Sequence, residues 1–187
     1  MSNSPLVSII TVAFNSEKTI CHTIESVLTQ TYDNIEYWII DGDSRDRTVE
    51  IAESYRVQME NKGIHYYILS EPDGGIYDAM NKGIRKATGE IIGIINSDDW
   101  YEPEAVETAV DTFHMTGCDL MYANIRMHKA DGSTFVKTAR SRRFQTSRDW
   151  NHPTDFSYRC ENWGKRSSPW TKYWLIFIWA APATTRS

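Results

Sequence analysis

Short apolar runs alternate with amphipathic stretches through the first two-thirds of the chain, and this alternation constrains the fold more than any other feature. Leu6-Val7-Ser8-Ile9-Ile10-Thr11-Val12, Ile35 to Ile40, Ile64 to Leu69 and Glu90 to Ile95 are rich in β-branched residues. They are too continuously apolar for a sheet with one wet face and read as strands buried on both faces. Between the first two, Ile20, Ile24, Val27 and Leu28 recur at helical spacing. Asp46 is placed to cap a helix carrying Val49, Ile51, Ala52 and Tyr55. A further helix is expected over 76–87, ended by Gly89, the residue type favoured just past a helix end. Another is expected from Glu102 to Met115, with Pro103 in its first position, and then a fifth strand from Asp119 to Tyr122. Strands alternating with helices predict an α/β fold: a mostly parallel central sheet with helices on both faces.

Right-handed crossovers put the C-terminal ends of such strands on one edge, where ligands of open α/β sheets bind. Asn15, Asp41, Asp43, Glu71, Asp73, Asp98 and Asp99 all fall there. The densest cluster is Asn96-Ser97-Asp98-Asp99, directly after the fourth strand. Adjacent carboxylates resist joint ionisation unless a cation or solvent offsets them. Mn2+ or Mg2+ holding a phosphate would do so, because both prefer hard oxygen ligands. Asp99-Trp100-Tyr101-Glu102 also has the spacing of a capping box, so these four residues alone fit a helix cap equally well. The acidic edge as a whole favours a metal-nucleotide site. GxGxxG, GxxxxGK[ST] and GxSxG are all absent, which disfavours a dinucleotide fold, a P-loop and an esterase elbow.

The 187 residues fit one domain with a sizeable core. A net charge of −5 argues against a nucleic-acid partner, which needs a basic stripe. The one basic run, Lys137 to Arg148, reads as a solvated loop. Cys21, Cys118 and Cys160 form no CxxC pair and fit a reducing, cytoplasmic setting. The N-terminus has no signal-peptide pattern, and the longest apolar run, Tyr173 to Ala181, falls short of the roughly 18 residues of a membrane span. The expected location is the cytoplasm, with at most a peripheral contact at the inner face of the membrane.

Four motifs then fall in order: Val7-Ser8-Ile9-Ile10-Thr11-Val12-Ala13-Phe14-Asn15; Ile40-Asp41-Gly42-Asp43-Ser44-Arg45-Asp46-Arg47-Thr48; Asp78-Ala79-Met80-Asn81-Lys82-Gly83-Ile84 with Ala87-Thr88-Gly89-Glu90; and Asn96-Ser97-Asp98-Asp99. Together, from about Pro5 to Asn124, they resemble the GT-A glycosyltransferases of family 2, inverting enzymes of bacterial capsule, exopolysaccharide and lipopolysaccharide synthesis. The resemblance implies a nucleotide-diphosphate sugar donor, a glycan or lipid-linked acceptor and a Mn2+ or Mg2+ cofactor. It places Thr11 and Ala13 beside the nucleoside, with backbone groups meeting the base, and Asn15 among the nucleotide-sugar contacts. Asp41 resembles the acid that accepts a hydrogen bond from the base, normally uracil, which points to a UDP-sugar; its other role is that of a turn-former. Asp78 and Asn81, on one helical face with Arg85, are placed near ribose or sugar, unless Asp78 is an ordinary first-turn acid. Lys82 reads as a solvated helix lysine rather than a phosphate contact. Asp98 resembles the metal-binding acid of an Asp-x-Asp element whose first Asp is replaced by Asn96, with Asp99 placed to compensate. Met80 stands where many relatives carry Arg. The mechanism implied is direct displacement at the anomeric carbon, with a carboxylate base in the second half of the chain.

That second half reads differently. Residues 1–125 form the nucleotide-sugar half of the expected domain, and 126–187 a partial or divergent acceptor half. After Trp150 the chain mixes Arg, Ser, Pro and Trp with no sustained period. His152 opens a His-Pro segment resembling one in the family, but the acidic element expected beyond it is missing. Asp155 and Glu161 are the only remaining acids and the only candidates there for the base. A frameshifted or truncated frame after about residue 154 ranks first. A divergent acceptor segment ranks second, and a membrane-interface role for Trp170 to Trp179 third. Two other functions compete: an inactive nucleotide-sugar-binding remnant, and a sugar nucleotidyltransferase. The latter ranks low because Ala13-Phe14-Asn15-Ser16-Glu17 stands where its Gly-rich basic loop belongs.

Overall fold

The computed structural model describes residues 4–116, 120–122, 125–128, 133–137 and 177–180. The elements run β1 (Val7–Ala13), α1 (Ile20–Leu28), β2 (Ile35–Asp41), α2 (Thr48–Ser54), α3 (Arg56–Lys62), β3 (His65–Ser70), α4 (Ile76–Lys86), β4 (Ile91–Asn96), α5 (Ala105–Thr116), β5 (Leu120–Tyr122), β6 (Ile125–His128), β7 (Thr134–Lys137) and β8 (Phe177–Ala180). Two compact units result: residues 1–123 with 174–187, and residues 124–173. In the second unit the described part is the antiparallel pair β6 and β7.

The first unit holds a six-stranded sheet in the order β3-β2-β1-β4-β8-β5. Its first four strands are parallel, as the alternating sequence requires. Successive side chains on a strand point to opposite faces. Ile9, Tyr37, Ile39, Ile91 and Ile95 share a core with Ile20, Ile24 and Val27 of α1, Ala52 of α2, Met59 of α3 and Val106 and Ala109 of α5. The other face carries Ile10 and Ile40, on which α4 sits very closely. A Cβ on Gly83 would lie 2.4 Å from Ile10 Cγ2 and 3.2 Å from Ile40 Cγ1. Both neighbours are strand side chains, so Gly83→Ala is expected to cost about 1–3 kcal/mol through overpacking, read as a lower urea midpoint with an unchanged slope.

Several elements differ from the sequence-based expectation. Helix α5 starts at Ala105 rather than near Glu102, and Pro103 lies in the preceding turn, its carbonyl accepting from Thr31 N at 3.0 Å. Buried Gln30 caps this helix from a distance: Oε1 accepts from Val106 N at 3.0 Å and Nε2 donates to Glu102 O at 2.9 Å. Gly89 is not a helix cap, since α4 ends at Lys86. It is required because a Cβ there would lie 2.6 Å from both Leu6 O and Ser8 Oγ. The left-handed helix cap is Gly63, with φ 82°, which ends α3, a helix the apolar spacing did not announce. Finally, β8 runs antiparallel between β4 and β5. At Phe177–Ala180, therefore, the tail pairs with the sheet. Four residues are too few for periodicity to disclose a strand.

Candidate functional site

The strand register brings Ala13, Asp41, Ser70 and Asn96 to one edge: Ala13 pairs with Asp41, Asp41 with Ser70, and Val12 with Asn96. The loops beyond this edge interlock. Asn15 N donates to Ser44 Oγ at 2.8 Å, while Asn15 Oδ1 accepts from Arg45 N at 3.0 Å. Ser16 N donates to Thr48 Oγ1 at 2.7 Å, and Glu17 N to Asp46 Oδ2 at 3.0 Å. Asn15 and Asp43 adopt φ of 50° and 66°, a left-handed turn conformation that Asn and Asp tolerate better than other side chains. Asp46 accepts from Thr48 N at 3.0 Å; it stands one residue before the N-cap, Arg47, rather than at the cap expected of it. Desolvation alone would raise its pKa, but hydrogen bonds from Thr48 and the Glu17 backbone outweigh that and lower it.

Asp41 is fully buried. Its Oδ2 accepts from Ser44 N at 2.9 Å and from Ser70 Oγ at 2.7 Å, and its Oδ1 accepts from Ser44 Oγ. It is thus a turn-former that ties β3 to the loop after β2. Three of the roughly four acceptor sites of a carboxylate are in use. Thr11 is not at the edge. It lies two residues inside β1, fully buried, with its hydroxyl 2.8 Å from Tyr37 OH, so its side chain is spent within the sheet.

The Asn96–Asp99 turn separates its two carboxylates. Asp98 is exposed, whereas Asp99 is 2% exposed and accepts from Asn96 Nδ2 at 3.3 Å. The backbone turn closes through Asp99 N to Asn96 O at 3.1 Å and is held from α1 by Thr23 Oγ1 donating to Asp99 O at 2.6 Å. Asp99 caps no helix here, because α5 begins six residues later, and its side chain is turned into the buried side of the turn. Asn96 Oδ1 is buried without a hydrogen-bond partner.

Around the start of α4, Asp78 Oδ2 accepts from Gly74 N at 3.0 Å and Asp73 Oδ1 from Gly75 N at 2.7 Å. Asp78 is therefore a first-turn acid capping its own helix; Asn81 is half-buried and Arg85 exposed. Lys82 is no solvated lysine. Its side chain is 14% exposed, donating to Pro72 O at 2.7 Å and pairing with Glu71 at 3.0 Å. One residue the sequence left unassigned stands out: Phe14 is 64% exposed at the edge. A Cβ on Gly42 would meet both Asp73 Oδ2, at 2.7 Å, and Phe14 Cδ2, at 3.3 Å, so Gly42 lets these two side chains close over the loop. His152, Asp155 and Glu161 lie outside the described residues.

Among the described residues no group of three or more His, Cys, Asp or Glu is placed to hold a metal. Mn2+ and Mg2+ at phosphate sites need only one or two carboxylates beside substrate oxygens. The exposed Asp98 carboxylate and the unpartnered Asn96 Oδ1 are hard oxygens of the type such a cation takes. The residues fit the group.

The family model "Glycosyl transferase family 2" matches residues 8–171. The chain belongs to this family. The glycosyltransferase match extends past Thr154 and includes 84% of the chain in a 30% identity to the chondroitin synthase of Pasteurella multocida, of which it covers 18%. The putative glycosyltransferase EpsH of Bacillus subtilis is 38% identical over 109 residues, 58% of this chain and 30% of that protein. The chain thus spans less than half the length of these relatives. Its fold is GT-A: TarS of S. aureus, solved in complex with UDP-GlcNAc, superposes with a TM-score of 0.56 at 25% identity, covering 62% of this chain and 33% of TarS. Among the described residues, no helix is long and apolar enough to cross a membrane.

Proposed function

We propose that the chain carries the donor site of an inverting, metal-dependent glycosyltransferase. It moves a sugar from a nucleotide-diphosphate donor, a UDP-sugar, to a glycan or lipid-linked acceptor at the inner face of the cytoplasmic membrane. One observation supports this reading above the others: the interlocked loops after β1 and β2 share an edge with the exposed carboxylate of the turn that ends β4, Asp98. The ligand named for TarS is consistent with that chemistry.

The residues divide the work. Phe14 offers an exposed aromatic face for the base, next to a loop kept thin by Gly42. Asp41, buried beneath that loop, sets its shape through Ser44 and Ser70. Asn15 holds the nucleoside side of the edge through the two hydrogen bonds it makes to Ser44 and Arg45. Asp98, with Asn96 Oδ1, would hold the cation. When bound, the cation supplies charge compensation for the leaving diphosphate. The acceptor base belongs to the region past residue 125, where Asp155 and Glu161 are the candidates; proton transfer by such a base contributes roughly 10²–10⁴ in rate.

Calorimetric titration of UDP, GDP and TDP, each with and without Mn2+, tests the reading. UDP is expected to bind best, and more tightly with Mn2+ than without. Binding of none of the three would overturn the donor site. Tight binding without transfer or donor hydrolysis would mark a binding remnant, and pyrophosphate release from a nucleoside triphosphate would mark a nucleotidyltransferase.

A further inference from the structure

The loop Asp41–Thr48 and the turn Asn96–Asp99 follow β2 and β4, strands that β1 keeps apart in the sheet. Ser16, just beyond β1, bridges them. Its backbone N–H donates to Thr48 Oγ1, which in turn donates to Asp46, and its hydroxyl shares a hydrogen bond of 2.7 Å with Ser97 Oγ. The same hydroxyl lies 3.3 Å from Phe14 O. Ser97 is 8% exposed and sits between Asn96 and Asp98. A continuous chain of hydrogen bonds therefore runs from Asp46 through Thr48 and Ser16 to the residue that carries Asp98 on its C-terminal side.

Resting on the donor-site reading above, we propose that Ser97 is a positioning residue whose bond to Ser16 couples the nucleotide-side loops to Asp98, so that nucleotide and cation bind cooperatively. The far end of the turn is already held by Thr23 on Asp99 O. Ser97 supplies the second anchor, and with both in place Asp98 does not have to be ordered when the cation arrives. Ordering already present in the free protein appears as affinity. Because coupling between two ligands is reciprocal, it must appear equally in the effect of UDP on Mn2+ and of Mn2+ on UDP.

The test measures UDP affinity by calorimetry with and without Mn2+, and Mn2+ affinity from the electron paramagnetic resonance signal of the free ion with and without UDP. Wild-type protein is expected to show the same strengthening factor in both directions. Ser97→Ala removes one oxygen and is expected to reduce that factor about fivefold, the order of one net hydrogen bond. UDP affinity without metal should hold, and the melting temperature should fall by no more than the few degrees one net hydrogen bond is worth. Ser97→Thr should restore the factor, and Ser16→Ala combined with Ser97→Ala should lose no more than either change alone. Ser16→Ala reads the same bond should Ser97→Ala fail to fold. An unchanged factor in a folded Ser97→Ala or Ser16→Ala protein overturns the coupling and leaves the donor site standing, as does a parallel loss of metal-free UDP affinity. Wild-type protein that binds no UDP overturns the donor-site reading itself.

Discussion

Asp98→Ala is expected to abolish the Mn2+ dependence of UDP binding and to lower sugar transfer by about 100- to 1,000-fold, the usual loss when one group stabilising transition-state charge is removed. The expected effect is large because the fold offers no substitute carboxylate in the turn. Asp99 is its neighbour in sequence but is buried and engaged with Asn96, so it cannot take over without remaking the turn. Asp98→Asn keeps the shape and one oxygen but no charge, and should recover little. Folding should be indifferent, because Asp98 is exposed and surface changes of this kind usually stay within about 0.5 kcal/mol. Steady-state transfer with a UDP-sugar, beside calorimetry at several Mn2+ concentrations, provides the check. Transfer at wild-type rate in Asp98→Ala would remove Asp98 from the metal site.

At the opposite edge of the sheet, Glu36→Ala is expected to destabilise the protein by about 1–3 kcal/mol while leaving the binding chemistry of the folded protein alone. Glu36 is 4% exposed at the start of β2. Its carboxylate accepts from Ser8 Oγ, from Thr88 N and Thr88 Oγ1, the latter at 3.0 Å, and from Gly89 N at 3.2 Å. Truncation removes the acceptor these donors share, leaving Gly89 N to Ser8 Oγ and turning Thr88 to solvent, at the place where the chain leaves α4 and enters β4. Desolvation would raise the Glu36 pKa, but the hydrogen bonds from Ser8, Thr88 and Gly89 outweigh it, so the folded-state pKa is lowered. A group lowered on folding contributes its stability fully above its unfolded pKa, about 4.3 for Glu. That contribution is lost as pH falls from there through the folded value. Urea unfolding at pH 7 and at steps down to pH 3 should show wild-type stability falling more steeply than that of Glu36→Gln. Equal slopes would show that this carboxylate does not drive the acid transition.

The Ala87-Thr88-Gly89-Glu90 stretch shows how a motif legible in sequence can serve a purpose that is not. Its order and spacing announce the family, yet Thr88 and Gly89 exist to meet Glu36 and to let two backbones touch, far from the ligand edge. Asp41, Ser44, Asp46 and Thr48 behave likewise: each spends its side chain on loop geometry, and the site emerges from the loops they build.

What the sequence by itself determined was the alternation of strand and helix, the parallel sheet that follows from it, and the edge on which the acids collect. These rest on short-range periodicity and on the handedness of crossovers, which the order of residues carries directly. Only the tertiary structure decided which acid of a pair faces solvent, that Thr11 points at Tyr37, that Lys82 closes a loop, that Gln30 caps a helix begun at Ala105, and that β8 enters between β4 and β5. A strand buried on both faces has no polar side to reveal its orientation, and the contacts of Thr11, Gln30 and β8 each join residues more than twenty positions apart. Periodicity reports that a side chain is buried or exposed; the partner that gives it a function is chosen by the fold.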